Sequence, residues 1–232
     1  CMSCMNESSK WSAKCLECGS FGTIEEITVA KPSKAKPGAG QPVSSAAPVN
    51  PLLRLRDVKT GNSDRIVSSL NEFNRVMGGG IVKDSVSIIT AKPGAGKSTL
   101  LLQVADDLAA KGYRVLYATG EESESQIKSR ADRILRNIHE NIWVVPDNSM
   151  NNVLGHIASV DPDLIIIDSI QTFTLEEHFP SRAGSPTQTM ECANAMVRIA
   201  KNPSRPRAVI LVGQMNKNEE MAGLRSLEHL VD

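Results

Sequence analysis

The stretch AKPGAGKST, residues 91–99, joins an apolar run to a helix-like run, and no other feature restricts the fold of this chain as strongly. Gly94 and Gly96 free the backbone to wrap phosphates with its N–H groups, Lys97 is placed to reach the β- and γ-phosphates, and Ser98 is a Mg²⁺ ligand. The start of the following helix adds partial positive charge. The expected ATP-binding set is therefore Ala91, Lys92, Pro93, Gly94, Ala95, Gly96, Lys97, Ser98 and Thr99. Such a loop works only where a strand delivers it to a helix, which requires an α/β fold. The chain departs from GxxxxGK[ST] at one place, Ala91 for the first Gly, which is tolerable if that position has ordinary φ.

Around this loop, strand-like and helix-like runs alternate. SVSIIT (85–90) precedes the loop, and a helix over 98–111 is closed by Gly112. RVLYAT (114–119) is the next strand, and Ser123 with Gln126 forms a capping box for a helix through Asn137. IWVVP (142–146), a helix over 151–159, DLIIID (163–168), a helix from Ser185-Pro186 to Lys201, and RAVILVG (207–213) complete the series. Strands and helices at this spacing predict βαβ units with a parallel central sheet flanked by helices, and nearly continuous Ile/Val/Leu runs predict burial on both faces.

Ligands of such sheets bind at the carboxyl ends of the strands. Asp168 ends the strand LIIID and is expected to hold Mg²⁺ through the ion's water ligands. No Glu follows it, so the base that activates water must come from elsewhere. In TGEES, Glu121 and Glu122 reach the same edge; Glu121 is the expected base, while Glu122 and Glu124 suit a helix start. Gln214, just past the last strand, is expected to contact the γ-phosphate, and Lys217 to complete a neighbouring subunit's site in trans.

The amino-terminal segment has a different chemistry. Four of the five cysteines fall in the first 18 residues, as Cys1-x2-Cys4 and, ten residues later, Cys15-x2-Cys18. Two such knuckles complete a closed tetrahedral thiolate shell, which predicts a structural zinc ribbon over residues 1–27. A disulfide pair is the alternative, opposed by a reducing cytosol and by a segment too short to fold without metal. Residues 28–51, rich in Pro, Ala, Ser, Gly and Lys, read as a flexible linker, leaving 52–232 as the ATPase domain. Cys192 reads as core.

The charge balance, 26 basic against 26 acidic side chains, gives no global signature of a nucleic-acid or membrane binder. No run approaches the roughly 18 apolar residues of a membrane span, so the expectation is a cytoplasmic protein. DNA contact has only local candidates: loop 171–188, loop 217–225, and the basic set Arg198, Lys201, Arg205 and Arg207, which reads first as a solvated helix face. Aromatic residues at 3% leave few base-stacking platforms.

Together, the four-cysteine module with Trp11 between its halves, LNEFNRVMGGGIV, PGAGKSTLLLQ, GEES with SRADRI, IIIDSIQT and AGLRSLEHLVD resemble the bacterial RadA/Sms family of DNA recombination and repair proteins in the RecA/DnaB superfamily. The resemblance spans nearly the whole chain. It implies a RecA-like P-loop NTPase: an ATP-driven homo-hexameric ring that binds single-stranded DNA, promotes branch migration of recombination intermediates and has a RecA-type recombinase as partner. It also implies the roles given to Lys97, Ser98, Glu121 and Asp168. The chain departs from the family's usual residues at Ala91 (Gly), Gln214 (His), Leu224 (Pro) and Lys83-Asp84 (Pro-Gly). The family continues, past the match to Asp232, into a KNRFG motif and a Lon-protease-like domain, and the chain opens at Cys1, so it is expected to be a fragment. Two further readings share these residues: a KaiC-like switch ATPase that controls assembly with a protein partner, and a non-catalytic nucleotide- and zinc-binding module.

Overall fold

The computed structural model describes residues 54–57, 65–214 and 225–232. The cysteine module, the linker, Lys217 and Leu224 lie outside the described residues.

A short antiparallel pair, β1 (Arg65–Ile66) with β2 (Ile81–Val82), encloses helix α1 (Asn71–Val76). These elements were not foreseen, being too short to establish a period. Five strands follow: β3 (Val86–Ala91), β4 (Val115–Thr119), β5 (Ile142–Pro146), β6 (Leu164–Asp168) and β7 (Ala208–Gln214). They form one parallel sheet in the order β3-β7-β6-β4-β5. The connecting helices are α2 (Lys97–Ala110), α3 (Glu124–Ile134), α4 (Met150–Val160) and α5 (Pro186–Ala200).

Successive residues of a strand point to opposite faces, and the two cores follow that period. Val115, Tyr117, Leu164, Ile166, Ala208, Ile210 and Val212 join the apolar faces of α2 and α3. Leu116, Ala118, Ile165, Ile167, Val209 and Leu211 join those of α4 and α5. All four apolar residues of β6 are fully buried. At roughly 1.5–3 kcal/mol for each buried aliphatic side chain, this strand is a main anchor of the sheet.

The helix starts are set locally. Ser123 and Gln126 form the expected capping box, Ser149 accepts from the N–H of Asn152, and Ser185 accepts from that of Gln188 with Pro186 behind it. Helix α3 stops at Ile134, short of the predicted Asn137, because Leu135 turns extended. Between β2 and β3, where the resembled family has Pro-Gly, Asp84 takes the left-handed conformation at φ 69°. Aspartate is among the few side-chain-bearing residues that adopt it readily.

At the sheet edge, β3 is sealed by the last described segment. Asp232 accepts the Val86 N–H at 3.0 Å and donates its own N–H to the Val86 carbonyl at 2.9 Å, and Leu227 is buried in the α4/α5 core.

Candidate active site

Because all five strands run in the same direction, their carboxyl ends share one edge, and the register aligns Ala91 with Gln214 and Thr119 with Asp168. Strand β7 lies between the strand that delivers the phosphate loop and the strand that ends in Asp168.

The loop itself is shaped by backbone conformation. Gly94 (φ 78°) and Gly96 (φ 88°) are left-handed, and a Cβ at either would meet nothing within 4 Å, so φ rather than space demands glycine. Ala91 is not among the positive-φ residues, which explains why a methyl group is accepted there. Gly96 is the N-cap of α2 and supplies no side-chain acceptor to its first N–H groups. Those donors, with the helix dipole, fit an anionic phosphate. The Lys97 ammonium is held over the loop by the carbonyls of Ala91 (2.8 Å) and Lys92 (3.3 Å).

Behind the loop, Ser98 Oγ donates to Asp168 Oδ2 at 2.6 Å, and the Tyr117 hydroxyl donates to the same oxygen at 2.5 Å. A hydroxyl beside a carboxylate, both hard oxygen donors, suits Mg²⁺ with a partial water shell. Tyr117 is fully buried, and burial, followed by the Asp168 charge, pushes its pKa far above the usual phenol value. Its hydroxyl therefore stays a donor across the physiological range.

A second carboxylate stands on the same edge. Glu121 Oε1 accepts from Gln214 Nε2 at 2.6 Å and from Ser169 Oγ at 2.8 Å. Gln171 fixes the Gln214 backbone, donating to its carbonyl at 3.2 Å and accepting its N–H at 3.4 Å. Gly120, which precedes the acid, lies so close to Thr172 that an added Cβ would fall 2.3 Å from its hydroxyl. Glu122 is engaged differently: it pairs with Arg130 of α3, and both side chains are more than three-quarters buried.

The structure thus brings Lys97, Ser98, Asp168, Glu121 and Gln214 to one edge. Lys217 and the four cysteines lie outside the described residues, and among the described residues no cluster of three or more His, Cys, Asp or Glu is arranged to hold a metal. The basic set considered for DNA divides. Arg205 and Arg207 turn onto Asp161 at 2.9 and 2.8 Å, at the amino ends of the strands, and Lys201 pairs with Asp232 at 2.7 Å. Only Arg198 of the four lacks such a pairing among the described residues, so the set is not a phosphate-facing surface. In loop 171–188, Phe179 is 66% exposed, beside exposed Glu176, Glu177 and Arg182.

Sequence reasoning missed Tyr117, Ser169, Gln171 and Arg130. Tyr117 carried a usable signal, since a tyrosine inside an all-apolar strand must still find a partner for its hydroxyl. Ser169 and Gln171 directly follow Asp168 but matched no pattern of their own.

A protein-family model described as "AAA domain" matches residues 49–220. The whole chain aligns with "DNA repair protein RadA" of Mycolicibacterium smegmatis at 37% identity, of Bacillus subtilis at 38% and of Mycobacterium tuberculosis at 40%, covering 49%, 49% and 47% of those proteins. The chain spans about half the length of these curated relatives. With the motif loop, the parallel sheet and this similarity in agreement, the chain belongs to the AAA domain family and is similar over its whole length to the RadA proteins.

Proposed function

We propose that this chain is a DNA-dependent ATPase of DNA repair and recombination, working as a homo-hexameric ring on single-stranded DNA and promoting branch migration of recombination intermediates together with a RecA-type recombinase. The observation that carries the reading is the placement of Glu121, tied to Gln214, on the same sheet edge as the phosphate loop and the Ser98–Asp168 pair. A binding module has no need of a second carboxylate oriented by two donors at that edge.

In this reading the loop N–H groups and Lys97 grip the phosphates, the ammonium exchanging its two loop carbonyls for phosphate oxygens. Ser98 and Asp168 would hold Mg²⁺, directly and through water, and when bound the ion neutralises charge on the β- and γ-phosphates. Glu121 orients the attacking water and takes its proton on Oε2, the oxygen not engaged by Gln214 and Ser169. Gln214 ties that carboxylate to β7, so the state of the γ-phosphate is passed to the segment that contains Lys217, the proposed cation for a neighbour's site. Cys1, Cys4, Cys15 and Cys18 hold a structural zinc; metal analysis that finds none in reduced protein, or a native disulfide within the set, overturns that assignment.

The deciding experiment measures ATP turnover with and without single-stranded DNA, for wild type and Glu121→Gln. Turnover that is raised by DNA and lost in the variant is expected. Turnover indifferent to DNA favours a KaiC-like assembly switch, and no turnover at all leaves a nucleotide- and zinc-binding module.

A further inference from the structure

We infer that Tyr117 is a positioning residue for Mg²⁺, holding the Asp168 carboxylate in place beside Ser98 whether or not the ion is bound. The inference rests on the ATPase reading above and adds to it a residue that the motif does not contain.

The two donors on Asp168 Oδ2 are not equivalent. Ser98 Oγ, at 2.6 Å, belongs to the first turn of α2 and is the group a Mg²⁺ ion would recruit. Its geometry toward Asp168 is then set by the ion as well as by the helix. The Tyr117 hydroxyl, at 2.5 Å, comes instead from the middle of β4. Strands β4 and β6 are hydrogen-bonded neighbours with Tyr117 opposite Ile166, so Tyr117 and Asp168 project from the same sheet face two residues apart in register. The Tyr117 ring is fully buried in the core that contains Leu101, Leu102 and Ile127. Its position is therefore set by packing rather than by anything bound at the edge. A hydroxyl fixed this way keeps one carboxylate oxygen engaged through loading and leaves the group aimed at the ion's waters. Hydrogen bonds that orient a metal-binding carboxylate commonly affect metal affinity by about 10–100-fold.

The test uses Tyr117→Phe in the full chain, which keeps the ring and removes only the hydroxyl. A fluorescent ADP analogue is titrated without Mg²⁺ and then across Mg²⁺ concentrations, with Asp168→Asn as comparator and thermal melting as the fold check. The expected result is unchanged Mg²⁺-free nucleotide affinity, with at least about ten-fold more Mg²⁺ needed for the half-maximal effect. A Mg²⁺ midpoint equal to wild type overturns the role. A loss of Mg²⁺-free affinity as large as the loss in Mg²⁺ response overturns it too, since that marks a merely structural tyrosine. If wild type itself binds the analogue no better with Mg²⁺, the ATPase reading fails rather than the tyrosine assignment alone.

Discussion

Gln214 donates to Glu121 across an intervening strand: Gln214 ends β7 and Glu121 follows β4, which are separated by β6, and their side chains meet at 2.6 Å beside Ser169. The contact joins residues 93 positions apart, yet each sits where the carboxyl end of its own strand leaves it. A change at either side chain is therefore felt at the other without passing through the hydrophobic core.

Glu121 and Glu122 should separate cleanly in kinetics. Glu121→Gln keeps the shape and the phosphate grip but removes the group proposed to take the water proton. Steady-state turnover should fall by about 10²–10⁴-fold with nucleotide binding nearly intact. Glu122→Gln weakens the pair with Arg130 instead and should lower the melting temperature while leaving most of the turnover. An inactive Glu122→Gln beside a fully active Glu121→Gln would reverse the assignment.

Gln214→Ala removes the donor from Glu121 Oε1 and also the link between that carboxylate and β7. Turnover should drop and its stimulation by DNA should vanish, with nucleotide affinity kept. Gln214→His, the residue usual in the resembled family, retains a ring N–H donor and should recover much of the loss. An unchanged DNA response in Gln214→Ala would show that coupling does not run through this contact.

What could be read from the sequence was what local chemistry determines. The loop glycines, the Ser123 capping box and the apolar strand runs each state their requirement within a few residues, and all three occur as expected. Partners distant along the chain could not be read in this way. Tyr117 meets Asp168 at a separation of 51 residues, and Arg205 and Arg207 find Asp161 from 44 and 46 positions away. Their clustering along the chain left those arginines reading as a solvated helix face or, second, as a surface for phosphates; only the sheet, which brings the amino ends of its strands together, turns them onto carboxylates.

That arginine cluster predicts a specific acid sensitivity. Arg205 foremost, with Arg207 and Arg114, holds the Asp161 carboxyl down at about 2, below the ordinary aspartate value of about 3.9. A carboxyl depressed in the folded state contributes stability that is complete above its unfolded pKa and is lost as pH falls towards its folded one. Asp161 is left-handed at φ 50°, a conformation that asparagine also accepts, so Asp161→Asn tests the charge alone. Because the group is partly exposed, screening limits the loss to about 1 kcal/mol, roughly 2–4 °C at neutral pH for a domain of this size. The gap between wild type and variant should narrow as pH falls below about 4 towards 2, and a pH-independent gap would mean that the charge is not what stabilises.

Lys217 supplies the test of assembly, and its argument starts from the end of β7. Gln171 pins the Gln214 backbone, so the chain leaves the sheet edge from a fixed point, three residues before the lysine. A cation there that served a neighbouring subunit would stabilise phosphoryl charge only when subunits assemble. Turnover should then rise steeply with protein concentration and with single-stranded DNA. Lys217→Ala should abolish that rise while ATP still binds. Mixing gives the decisive result: Lys217→Ala disables a neighbour's site and Glu121→Gln disables its own, so co-assembled rings of the two inactive variants should regain a fraction of working sites. Each restored site pairs an intact Glu121 from a Lys217→Ala subunit with an intact Lys217 from a Glu121→Gln neighbour. No recovery in samples shown to co-assemble would place Lys217 in its own subunit's site, or in no site at all.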